Sequence, residues 1–388
     1  MTFTSRQRLL TALDRKCPDR LPVTTHHLQE FFRNEHMDGK SDQEIFDELG
    51  MDAVFWTGKH LPDASQGAYF DPEQEEPDNP RFNRRLVSDY WQISTEDIPH
   101  PEYETTRYTI STPKGALTTV LQRNQYTAWV GEHLVKEKND IDIIAEFAPT
   151  PVCDTEVVNQ QADAVGERGI VRGAICSFDI YGQPGCWQDA SVLVGIEQLI
   201  LATYDDPDWV HELLRILFRR KETYVRSLAG ARYDLLELGG GDASTTVISP
   251  KLFRKFVAPY DARLIEVAHE CGQKIAYHTC GGMMPILEDL ADMNPDAMET
   301  FTPPAMGTDV RLAEAKQRIG DKVCMIGGFD QVSDLNNCSE EHTRSAVRRC
   351  FEAAGKNGGY ILSPSDHFFD ANPVLLAAFA DEARQCVY

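Results

Sequence analysis

The segment His278-Thr279-Cys280-Gly281-Gly282 holds the sharpest chemical signal in the chain. In extended backbone, residues two apart point to the same side, so His278 and Cys280 can offer an imidazole nitrogen and a thiolate to one ion. Nitrogen with sulfur is a zinc-like donor set. A catalytic zinc also needs a third protein ligand and an open position. Glu299, Asp366, His367 and Cys324 are the candidates for that ligand. Cys324 precedes Met325-Ile326 in an apolar run and reads as a core residue, since free cysteines commonly behave as small buried hydrophobes.

Other reactive side chains fall just past short apolar runs. His26 and His27 follow the first run, Lys59 and His60 the second, and Asp179 and Tyr181 the third. Gly239-Gly240-Gly241 leads to Asp242, Gly327-Gly328 to Asp330, and the last run to Asp366 and His367. Polar loops are general, but His, Cys and Asp clustered with glycine at these ends favour an active site. The triple glycine lacks the spacing of a nucleotide-binding loop. It reads instead as a wide turn open to substrate, with Asp242 either at its rim or capping the next turn.

These side chains must be held by the elements between them. Eight short runs, each bounded by Gly, Pro, Asn or Asp, read as buried parallel strands. They are residues 20–23, 52–56, 169–176, 233–238, 274–278, 296–300, 322–326 and 359–363. Helical periodicity fills the intervals, as in 191–203, 207–229, 250–271, 312–319, 340–354 and 373–386. Alternation of this kind predicts one (β/α)8 TIM barrel over residues 1–388, with a doubly wound sheet as the competitor. From about 61 to 140 the rhythm breaks into polar, alternating segments with a hairpin at Pro113-Lys114-Gly115. This stretch is expected to form a small β-rich inserted lobe.

Thirty-eight Lys and Arg stand against 61 Asp and Glu, a net charge of −23, which argues against nucleic acid or an anionic membrane as partner. Ten cysteines in 388 residues are too sparse for a disulfide scaffold. No secretory signal or membrane-spanning run is read in the sequence, so a cytoplasmic protein with reduced thiols is expected. Leu9-Leu10 and Leu375-Leu376 could serve a homodimer or equally pack within the barrel.

Several segments together resemble the uroporphyrinogen decarboxylase superfamily. They are Ser5-Arg6-Gln7-Arg8-Leu9-Leu10 with Pro18-Asp19-Arg20-Leu21-Pro22, Ile248-Ser249-Pro250 with Phe256-Val257-Ala258-Pro259-Tyr260, the His278–Gly282 segment, and Gly359-Tyr360-Ile361-Leu362-Ser363-Pro364. The resemblance implies a (β/α)8 barrel and either a decarboxylase or a corrinoid-linked methyltransferase. Decarboxylases of this kind carry an Arg-Gln-Ala-Gly-Arg segment after the first strand; here Val23-Thr24-Thr25-His26-His27-Leu28-Gln29 stands instead, with no arginine until Arg33. The methyltransferase branch holds zinc with a His-x-Cys pair and a later cysteine. His278 and Cys280 match the pair, while Ser365-Asp366-His367 stands where the later cysteine is expected, which passes the third position to Asp366 or His367. Methionine synthases that work without cobalamin add a glutamate some twenty residues on, a role that would suit Glu299.

The resemblance thus implies a zinc methyltransferase that works with a methylated small molecule and a thiol or a corrinoid on a partner protein. His26, Asp179, Asp242 or Asp330 would hold substrate or protonate a leaving group. Gly240, Gly281 and Gly328 would widen the mouth. A carboxy-lyase and a catalytically decayed binding module are the alternatives.

Overall fold

Apolar runs closed off by glycine, proline and aspartate form the parallel strands of a computed structural model, which describes residues 2–75, 77, 84–175 and 180–388. In chain order, β1 (Ala53–Trp56) is followed by the short pieces β2 (His60–Pro62), β3 (Tyr69–Phe70) and β4 (Leu86–Val87). Next come β5 (Gln92–Asp97), β6 (Glu104–Thr112), β7 (Gly115–Arg123), β8 (Ala128–Glu132) and β9 (Pro151–Cys153). The remaining strands are β10 (Gly169–Ala174), β11 (Leu235–Gly239), β12 (Ile275–His278), β13 (Ala297–Thr300), β14 (Cys324–Phe329) and β15 (Tyr360–Pro364). β1 and β10 to β15 pair side by side in that order, all parallel, with helices between them.

The expected first strand, residues 20–23, shrinks to one parallel bridge between Val23 and Leu362. Pro22 has no amide to give a ladder. The segment still joins the two edges of the sheet. Leu362 N donates to Pro22 O at 2.9 Å, Thr24 N to Leu362 O at 2.9 Å, and Asp52 N to Val23 O at 2.7 Å. A (β/α)8 barrel results, closed by a short extended segment rather than a full strand.

Charges lock that closure. The buried Asp52 carboxylate accepts from Arg8 at 2.6 Å, Arg20 at 3.0 Å and Val23 N at 3.0 Å. Arg8 also pairs with Asp19 at 2.7 Å, and Arg6 reaches Asp234 at 2.7 Å. The opening residues thus serve the fold. Leu9, Leu375 and Leu376 are buried in the barrel core.

Helices follow the apolar periodicity, with breaks at identifiable residues. The stretch expected over 191–203 is two helices, Cys186–Val194 and Ile196–Asp205, parted at Gly195 with φ 92°. The one expected over 250–271 starts at the Ser249 cap, widens through Phe253–Val257, and continues as Ala258–Glu270. Pro259 explains the widening, since its missing amide cannot complete a regular turn.

Between β1 and β10 the chain is antiparallel. β5 to β8 form a four-stranded sheet, and β6 pairs β7 from Glu104↔Arg123 to Thr112↔Gly115 around Pro113-Lys114. β2 pairs antiparallel with β9, from His60↔Cys153 to Pro62↔Pro151. Among the described residues no helix is long and apolar enough to cross a membrane.

Candidate metal centre

Strand register gathers the chemistry at the C-terminal end of the barrel. Gly239 of β11 lies beside His278 of β12, and His278 beside Glu299 of β13. Cys280 follows β12 by two residues, and Asp366 and His367 follow β15 by two and three. One ligating atom from each of His278, Cys280 and Asp366 lies within 4.8 Å of the others. His278 faces the other way as well: its Nδ1 is 3.3 Å from Glu299 Oε1 and 3.9 Å from Glu237 Oε2. A carboxylate behind one ring nitrogen fixes the tautomer and leaves the other nitrogen for a cation.

Glu299 joins His26, Glu237 and His278 in another metal-capable set, and it is also tied to an arginine. Both its oxygens take the guanidinium of Arg172, Nη1–Oε2 at 3.0 Å and Nη2–Oε1 at 2.9 Å, and both residues are buried. Its place is behind His278 rather than alongside Cys280. Arg172 also lies over the Trp56 ring, 4.5 Å from its centroid. His26 stands between two carboxylates, Nε2 3.3 Å from Glu237 and Nδ1 3.6 Å from Glu299.

The electrostatics follow from this packing. Burial pushes the Glu299 carboxyl up, but Arg172 and His26 outweigh it and hold the group well below the usual carboxylate range. Burial pulls the His278 imidazole down, yet Glu237, Cys280 and Glu299 carry it well above its ordinary value. Burial also opposes ionisation of Asp366, and His278, His367 and His26 override it and keep the carboxyl low. The pocket therefore collects anions around imidazoles.

This donor set suits a zinc-like ion. It offers nitrogen, sulfur and oxygen together, all ligands that zinc accepts. Glu237 Oε2 is buried next to the same imidazoles with no hydrogen-bond partner, an arrangement that a nearby cation relieves. Cys324, the rejected ligand candidate, is buried inside β14 with its thiol pushed up to about 12 by burial.

The other expected residues are placed differently. Asp242 accepts from Ser191 Oγ and from Gln188 Nε2, and takes no part in the metal-capable groups. Asp330 caps the helix Gln331–Asp334, its Oδ1 accepting from Val332 N at 3.0 Å and Ser333 N at 2.9 Å. Asp179 lies outside the described residues. A Cβ on Gly240, Gly281 or Gly328 would meet Gln188, Ser244 or Leu312, so these glycines allow close packing of the protein's own side chains rather than a wide mouth. His367 is gathered with His26 and His27.

Sequence reasoning missed Arg172 and Glu237. Both lie inside strands that are otherwise apolar, Gly169–Ala174 and Leu235–Gly239. A lone charge at one strand position was the available signal, because a buried charge needs a partner across the barrel.

Comparison with known proteins adds a family and a fold. A family model described as Uroporphyrinogen decarboxylase (URO-D) matches residues 181–385. The chain is 27% identical over 191 residues to a uroporphyrinogen decarboxylase of Thioalkalivibrio sulfidiphilus, covering 47% of this chain and 50% of that protein. It is 24% identical over 161 residues to a methylated-thiol–coenzyme M methyltransferase of Methanosarcina mazei, covering 42% of this chain and 41% of that protein. The chain thus spans about half the length of these curated relatives. A solved methyltransferase from Methanosarcina mazei superposes with a TM-score of 0.57 at 16% identity over 99% of both chains, a likeness of fold.

Proposed function

The chain belongs to the uroporphyrinogen decarboxylase (URO-D) family, and from that premise we propose that it is a zinc-dependent methyltransferase. It moves a methyl group between a methylated small molecule and a corrinoid protein or a thiol. The observation that carries this reading is the nitrogen, sulfur and oxygen set of His278, Cys280 and Asp366, gathered within 4.8 Å. The name of the Methanosarcina relative agrees with it.

These three residues would hold zinc, which would supply a Lewis acid able to make a thiol available as thiolate at neutral pH or to polarise a leaving group. The chain's own residues do the rest. Glu299, fixed by Arg172, holds the His278 ring through Nδ1. Asp366 stays anionic beside the imidazoles. His26, its Nε2 3.3 Å from Glu237 and its ring 4.9 Å from that of His278, flanks the place where substrate would bind. In the transfer the nucleophile supplies the electron pair for the new bond to the methyl carbon. The donor heteroatom leaves with the old bonding pair and takes a proton from solvent.

The Thioalkalivibrio relative's name favours a second reading, a carboxy-lyase. Against it, the buried guanidinium of Arg172 spends both terminal nitrogens on Glu299 and offers no bidentate grip to a substrate carboxylate. One assay separates the two. Purified protein is given Co(I) cobalamin with methoxyarene, methylamine or methyl thioether donors, and methylcobalamin is followed by absorbance. Formation by the wild type and loss in Cys280→Ser supports methyl transfer. Carbon dioxide release from uroporphyrinogen, undiminished in Cys280→Ser, assigns the chain to the carboxy-lyases.

A further inference from the structure

We propose that His26, His27 and His367 form a second binding position for a divalent transition-metal ion, separate from that of His278, Cys280 and Asp366. One ring nitrogen from each lies within 4.8 Å of the others. Ring centroids are 4.2 Å apart for His26 and His27, 5.0 Å for His26 and His367, and 4.9 Å for His27 and His367. Neighbouring residues in a strand point to opposite sides. A bend at His26 brings both rings of the His26-His27 pair to one side instead.

The position is built rather than incidental. Trp56 Nε1 donates to the His26 carbonyl at 2.9 Å, and the His27 ring rests edge-on against the same indole at 4.3 Å. A carboxylate stands beside two of the imidazoles, Glu237 at 3.3 Å from His26 and Asp366 at 3.8 Å from His367, as around ligating histidines generally. Three imidazoles suit Zn2+, Co2+, Ni2+ or Cu2+, not Ca2+ or Mg2+. His26 and His278 have centroids 4.9 Å apart, so both positions would face one substrate, as in two-metal sites.

This inference stands apart from the methyl-transfer reading, and cobalt titration of the chelator-treated full chain tests the two separately. The wild type is expected to take up about two equivalents of Co2+, only one of them giving a thiolate-to-cobalt charge-transfer band. His27→Ala should lose the second equivalent and keep that band, while Cys280→Ser should lose the band and keep the second equivalent. Circular dichroism of each metal-free variant checks that it folds. His27→Leu serves as the second variant if His27→Ala does not. A wild type that binds one equivalent, or unchanged stoichiometry in the His27 variant, overturns the proposal and leaves the three rings as mere stacking. Absence of the charge-transfer band from the wild type instead overturns the zinc site of the methyltransferase.

Discussion

Replacing Arg172 by methionine keeps most of the side-chain volume and removes the guanidinium that faces Glu299 at 2.9 and 3.0 Å. With an effective dielectric near 20, the lost attraction at this range is about 5 kcal/mol. The protein can limit the damage by protonating Glu299. At pH 7 that costs about 1.4 kcal/mol for each unit above a carboxyl pKa near 4.3, or about 3.7 kcal/mol. The cheaper route prevails, so Arg172→Met should lose about 3–4 kcal/mol of stability, in line with other broken buried pairs. The sign of the pH dependence follows. The wild-type Glu299 carboxyl lies well below its usual value, so its stabilisation is present at neutral pH and fades as pH falls through the folded value. In the variant, the cost of protonation falls with pH. The deficit should therefore shrink by about 1.4 kcal/mol per pH unit between pH 7 and about 4.5. Urea unfolding followed by tryptophan fluorescence across this range measures it. Arg172→Met/Glu299→Gln should recover most of the loss. A deficit under about 1 kcal/mol at pH 7, or one that ignores pH, would refute the reasoning.

Two further outcomes are expected elsewhere in the barrel. Asp52→Ala leaves Arg20 and the Nη1 of Arg8 without their carboxylate and unpins Val23, and should cost about 3–5 kcal/mol in urea unfolding, whereas Asp14→Ala at the exposed Lys274 pair should cost less than about 1 kcal/mol. Burial pushes the Asp261 carboxyl up to about 6, against bonds from Tyr277 and Cys186. Its folded form therefore holds a proton that the unfolded chain releases, and the wild type should lose about 3 kcal/mol relative to Asp261→Asn as pH rises from about 3.8 to 6. A flat difference between the two proteins across that range would contradict this.

Features carried by local pattern were legible in the sequence. Apolar runs bounded by breakers located the parallel strands to within two or three residues, and the two-residue spacing of His278 and Cys280 put both at one end of the barrel. Features set by long-range contact were not. Residues 20–23 resembled a strand, but Pro22 removes the ladder donor and leaves one bridge. Arg172 and Glu237 went unnoticed within apolar strands, because only barrel closure faces them toward Glu299 and His26. Glu299 suited a ligand by sequence distance, and its buried arginine partner is 127 positions away in the chain. Asp330 stood at a strand end like the other reactive residues, yet its carboxylate serves the helix that starts next to it.

Zinc X-ray absorption of the purified chain, beside Cys280→Ser, tests the central claim most directly. The account predicts a sulfur scatterer at about 2.3 Å from zinc in the wild type and its loss in the variant. Protein that carries no zinc, or zinc with only nitrogen and oxygen neighbours while Cys280 is intact, would contradict it.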